Sequence, residues 1–281
     1  MKKGILLTVL VVLSTAGFAQ AQDGELTGSI EAAYRSAYTW YGIDRTVGAH
    51  GEGVTESTLN LDLYGTGLGA SVKWMLPNTG SVGNGSLVNA EELWFTLTYG
   101  GSCLDYETYA TDYTIGWTYY DFPDQPSSLV DTQELFASLS WPEICPAGVV
   151  PSYTLVRMWK SEGGRPSSPT SARGTPTSDI SGWVHILGMG YDMPVEDLLP
   201  DLPEQILHLS AALVYNEGAG AIGVDHDLSH FVLGVSTDFD LGNDLTLTPG
   251  IYHQRVLEKS IRQLNQDKDL TWASVGLKYA F

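Results

Sequence analysis

Seven ionisable side chains sit inside segments that otherwise read as greasy strands: Glu31, Arg35, Asp62, Lys73, Glu92, Glu134 and Lys278. In a β-strand successive side chains point to opposite faces, so a period of two gathers these charges on one face and the apolar residues on the other. Both signs occur, with four acids against three bases. That mixture does not resemble a catalytic pair. It suits a water-lined surface, because rings of charge in a pore sort ions by sign. The excess of acid implies a mild preference for cations. An equally open alternative is that the charges pair with one another into a network that plugs the interior.

Other chemistry-bearing residues give less. Asp225, His226 and Asp227, with His230 nearby, combine imidazole and carboxylate and could hold a transition metal. A short loop cluster of this kind is more commonly just solvated, and no cofactor is expected. Arg157 and His185 fall on the apolar face of adjacent strands near one rim, where a guanidinium suits lipid phosphate; they could equally just rest in the headgroup zone. Nucleophilic catalysis needs a hydroxyl within reach of an oriented base. The positions beside His185 on the flanking strands offer no serine, and Gly-x-Ser-x-Gly is absent. No enzymatic activity is expected. Cys103 and Cys145 could form a structural disulfide in an oxidising compartment.

The elements that position these residues number twelve. Alternation and turn punctuation predict strands over about Leu26–Ile43, Val54–Tyr64, Ala70–Leu76, Glu91–Tyr99, Asp112–Tyr120 and Thr132–Trp141. Six more follow over about Ser152–Trp159, Ser181–Tyr191, Gln205–Tyr215, Ser229–Phe239, Asp244–His253 and Leu270–Phe281. The seventh alternates poorly. No useful period of 3.6 appears, and no apolar run has the ~20 residues of a membrane helix. At the N-terminus, Lys2 and Lys3, the apolar Ile5–Val12 and Ala19-Gln20-Ala21 form a secretory signal, with cleavage expected after Ala21. Residues 22–281 are then one domain.

An even number of strands, each with one apolar face, and a last strand ending on Phe281 point to an antiparallel up-and-down barrel in a bacterial outer membrane. Outward-running strands should be followed by long connections, as at Asp44–Gly53, Pro77–Ala90 and Lys160–Ile180. Aromatic residues should form belts at both membrane interfaces. Trp40, Trp74, Tyr119, Trp159, Trp183 and Tyr215 fall near the outer rim. Tyr99, Trp141, Tyr191, Phe239, Tyr279 and Phe281 fall near the inner one. A soluble sandwich also alternates, but explains neither belt. The acidic balance, 33 Asp plus Glu against 14 Lys plus Arg, excludes nucleic acid as a partner, since phosphate binding needs a basic surface.

Three patches resemble a known family. Ala37–Ile43, read Ala-Tyr-Thr-Trp-Tyr-Gly-Ile, is similar to the opening strand of TorF-type porins, which often read Tyr-x-Trp-Arg-Gly-Ile/Val. Glu91–Thr98 and Asp131–Ser140 resemble their Glu-aromatic strands. Tyr41 stands where arginine is usual, so that arginine's role does not carry over. The resemblance implies an outer-membrane porin without a defined substrate. The expected function is passive diffusion of small hydrophilic solutes, in contact with outer-membrane lipids. The alternative is a non-conducting barrel that binds or supports at the cell surface.

Overall fold

The computed structural model describes residues 25–45, 53–78, 91–123, 131–145, 148–161, 181–195, 205–219, 224, 226–265 and 269–281. The expected signal segment, the loop residue Asp225 and most of the long connections lie outside these. In chain order the strands are β1 (Thr27–Arg35), β2 (Thr39–Trp40), β3 (Ile43–Asp44), β4 (Val54–Asp62), β5 (Leu68–Pro77), β6 (Glu92–Cys103), β7 (Thr111–Asp121) and β8 (Thr132–Ser140). They continue as β9 (Val149–Lys160), β10 (Gly182–Val195), β11 (Gln205–Glu217), β12 (His226–Thr237), β13 (Phe239–Gly242), β14 (Leu245–Val256) and β15 (Leu270–Ala280). β2 and β3 form a separate small hairpin. The rest make one antiparallel wall, with β13 continuing β12, so the wall has twelve strands.

The wall closes on itself. β15 pairs with β1 through Ser29↔Ala280 to Arg35↔Ser274. Gly28 N donates to Phe281 O at 2.9 Å and Phe281 N to Gly28 O at 3.0 Å, so the last residue completes the seam. Closure leaves no unpaired edge, which is what a sheet needs in a solvent that cannot hydrogen-bond.

Register separates the faces as alternation requires. At the seam Ile30↔Tyr279 and Tyr34↔Val275 point out, while Glu31↔Lys278 points in. Ile30, Leu187, Met189 and Ile251 are each more than half exposed on the outer wall (54%, 57%, 57% and 57%). An outside so apolar is stable only against hydrocarbon. Trp74 and Trp183 stand at the end with the long loops, and Tyr99, Tyr279 and Phe281 at the end with the short turns, all exposed. These are the two aromatic belts.

The chief departure is at the first strand. The expected Leu26–Ile43 stops at Arg35. The chain then leaves the wall and enters the bore, where β2 and β3 pair through Trp40↔Ile43. Tyr41 (φ 47°) and Gly42 (φ 87°) make the two-residue turn, both in the left-handed region that such hairpins require. Alternation runs unbroken through Ala37–Ile43 because the segment is β-structure, but of a hairpin inside the barrel. Trp40 therefore leaves the outer belt. The same hairpin explains the seventh predicted strand: in β9 the inward Val156 and Met158 are buried (3% and 0% exposed), so both faces are apolar.

Two smaller differences matter. β6 runs on to Cys103 because Gly100 and Gly101 pair with Thr114 and Tyr113 instead of turning, and β10 runs on to Val195 by pairing with Gln205–His208 of β11. A six-residue helix, α1 (Lys259–Leu264), occupies the last long connection and is too short to register as a 3.6 period. Glu258 caps it, accepting from Ser260 N (2.8 Å) and Ile261 N (2.6 Å).

Candidate functional site

The site is the bore of the barrel and the hairpin that crosses it. Buried carboxylates need donors, since a bare charge is costly away from water. Two such carboxylates, Glu92 on β6 and Glu134 on β8, project inward, and the hairpin satisfies both. Tyr38 Oη donates to Glu92 Oε2 at 3.2 Å, and Arg45 Nη2 meets Glu92 Oε1 at 3.4 Å. Trp94 Nε1 adds a third bond to Glu92 at 2.9 Å. Tyr41 Oη donates to Glu134 Oε2 at 2.6 Å. Tyr41 thus anchors the turn on the far wall, at the position where the TorF-like pattern has arginine.

The hairpin tip is held from the other side. The carbonyl of Gly42 accepts from Gln254 Nε2 at 2.8 Å and from Asn265 Nδ2 at 2.7 Å. Asp44 N donates to Asn265 Oδ1 at 2.8 Å. Asn265 follows α1, whose Ile261 is buried with Val224 and Val256 against Ile43. Apolar packing completes the fit. Trp40 and Tyr41 lie on Val156, Met158, Val184 and Val214. Trp40 stands edge-on to Tyr120 at 6.1 Å, and Tyr38 is buried with Val54 and Met75. Burial first, and then the charge of Glu92, holds the Tyr38 hydroxyl well above its ordinary value; burial and Glu134 do the same for Tyr41. Both hydroxyls stay donors throughout the neutral range.

Between the hairpin and the short turns lies a cavity of about 400 Å³. Its walls are β1 and β4 to β8. Glu31, Arg35, Lys73 and Glu134, all read from the sequence as inward, line it. So does Glu56, which sequence reading passed over. Glu56 sits at the centre of the charge network: Arg35 Nε is 2.7 Å from Oε1 and Lys73 Nζ 3.7 Å from Oε2. Lys73 also lies over the Trp94 ring at 4.9 Å. Continuing the alternation back from Asp62 and Asn60 through Thr58 reaches Glu56, so the signal was present. Glu31 accepts from Ser29 and Asn60 at 3.1 and 3.0 Å.

The opposite wall is different in kind. Many inward positions of β10 to β15 are small or aromatic, with Tyr252 and Trp272 stacked flat on each other at 5.5 Å; the charged groups of this wall sit at the turn end, where His208 Nδ1 is 2.7 Å from Asp192 Oδ1 and Lys278 faces in. The flank of β1 and β4 to β8 carries charge along its depth, while the facing flank is mainly small, aliphatic or aromatic above its turn end.

Other predicted residues fall elsewhere. Asp62 is exposed and accepts from Gly65 N at 2.8 Å, holding the short turn after β4. Lys278 faces inward at the turn end, opposite Glu31 and Thr246. Cys103 and Cys145 lie at the turn end as separate thiols, with Cys103 Sγ 3.6 Å from the Thr111 carbonyl. His230 is not a loop residue beside Asp227: it points into the bore from β12, bonded to Ser229 Oγ at 2.7 Å and lying under Gly42. A Cβ at Gly42 would come within 2.5 Å of its ring. No metal-holding cluster forms among the described residues.

Solved structures share this architecture. The chain is similar to the NanC porin, with a TM-score of 0.50 and 14% identity, covering 89% of this chain and 97% of that one. It is also similar to the KdgM porin solved in complex with oligogalacturonate (0.47, 8%, covering 91% and 99%) and to the β domain of the Bordetella autotransporter BrkA (0.46, 11%, 92% and 99%). At these identities the likeness is one of fold, that of outer-membrane β-barrels. No protein-family model matches the sequence, and no curated protein does.

Proposed function

We propose that this protein is a porin-like channel of a bacterial outer membrane that passes small hydrophilic solutes, with the β2–β3 hairpin as its constriction. The carrying observation is a polar cavity enclosed by a closed barrel whose outside is apolar. Water-filled lumens of this kind conduct passively, and their charges set preference. Here Glu56 bridges Arg35 and Lys73, which leaves that trio one net positive charge, and Glu31 and Glu134 bring the cavity lining to three carboxylates against two cations. The lumen therefore favours cations and neutral solutes over anions.

One observation favours a second reading. The hairpin is fastened on both sides of the bore, by Glu92 and Glu134 on one flank and by Gln254 and Asn265 on the other. A permanently seated hairpin would make a non-conducting barrel whose loops do the work. Purified, heat-modifiable protein in a planar bilayer separates the two. Stable single-channel steps with a cation-biased reversal potential support the channel. A silent bilayer supports the plugged barrel.

A further inference from the structure

The outer wall carries a polar cluster that the lumen does not use. Arg157 is three residues from the loop end of β9 and points outward, directly across from Trp183 of β10. Its guanidinium lies over the Trp183 ring at 5.3 Å. Among the described residues no carboxylate pairs with it. One strand position deeper, His185 is held between Tyr153, whose Oη is 2.7 Å from Nδ1, and Glu217, whose Oε1 is 3.5 Å from Nε2. The Tyr215 ring meets His185 edge-on at 5.9 Å. The carboxylate of this cluster is thus turned onto the histidine and leaves Arg157 uncompensated.

We infer that this cluster is a specific site for a phosphate-bearing lipid headgroup, with Arg157 as the phosphate ligand and Trp183 as its platform. Three observations converge. The depth is right: Trp183 belongs to the aromatic belt, where headgroups lie. The geometry is right: a guanidinium laid on an indole loses freedom in advance and presents its planar fork edgewise, which matches two phosphate oxygens. The charge is right: an unpaired cation on a hydrocarbon-facing wall is stabilised by a lipid anion, whereas a cation serving the lumen would face inward. His185, braced by Tyr153 and Glu217, is the next outward residue below Trp183 on β10 and bounds the site on its deeper side.

The test uses the folded protein in a micelle of neutral, sugar-headed detergent. Short-chain phosphatidic acid, the matching diacylglycerol and inorganic phosphate are titrated separately, with adducts counted by native mass spectrometry. Saturable binding of phosphatidic acid, weakened at least ten-fold in Arg157→Gln and clearly in Arg157→Lys, is the expected result. Arg255→Gln is the control, since Arg255 is an outward arginine of the same end on β14; it should bind like the native protein. Equal binding of diacylglycerol would reveal a mere apolar annulus and overturn the site. Equal binding of inorganic phosphate without the lipid would reduce it to a simple anion site, also against the proposal. Full retention in Arg157→Lys, or equal loss in Arg255→Gln, would show a diffuse belt charge and contradict it as well.

Discussion

Glu56 decides the sign of the lumen, because one buried carboxylate answers two cations. Replacing it with glutamine frees Arg35 and Lys73, so the reversal potential in a salt gradient should move toward the anion side. Asp62→Asn, which touches a turn and not the cavity, should leave that potential unchanged. Tyr41→Phe removes one of two tyrosine donors to buried Glu134, Tyr120 being the other. The loss of one buried hydrogen bond costs about 1 kcal/mol, so the hairpin should unseat more often and the channel spend more time in its larger open state. The tyrosines also set a pH limit. Their hydroxyl pKa values are raised in the folded state, so the neutral latch is intact below about 10, the ordinary phenol value, and is weakened as pH climbs beyond it. Conductance should therefore hold steady from pH 7 to 9 and rise above pH 10. At this scale Glu31, Arg35, Lys73 and Glu134 were legible from alternation alone. Tyr38, Tyr41 and Arg45 were not, because their partners lie 54, 93 and 47 residues away in sequence.

At the scale of elements, the hairpin was hidden by its own regularity. A two-residue turn at Tyr41-Gly42 does not break a period of two, so Ala37–Ile43 reads as the continuation of β1. The visible trace was indirect: β9 alternates poorly because its inner face is packed under the hairpin. Gly42→Val should release the tip, since a side chain at φ 87° is strained and its Cβ would meet the His230 ring. The barrel should survive while conductance rises. Gly116→Ala acts on the wall instead. A Cβ there would lie 2.3 Å from the Phe136 ring, which occupies the space beside the glycine. Overpacking of that kind costs about 1–3 kcal/mol, so the temperature at which the folded band is lost on a denaturing gel should fall. The short helix α1 escaped notice for a plain reason: six residues make less than two turns.

Across the whole molecule, the barrel itself was the most legible feature. The alternating segments, two aromatic belts and the seam at Phe281 all report one physical fact, that the wall is apolar outside and more polar inside. What alternation cannot report is which inward-facing groups are wetted and which lie under a folded-in loop, because both leave the same polar or mixed face. The cavity lies on the flank of β1 and β4 to β8, and the hairpin takes the loop end. The measurement that tests this most directly is single-channel recording in a planar bilayer, comparing the native protein with a variant in which residues 37–45 are replaced by a short Gly-Ser linker. Small, cation-biased steps from the native barrel and markedly larger, less selective steps from the variant are the predicted result. Identical steps from both, or silence from a variant that still folds, would contradict it.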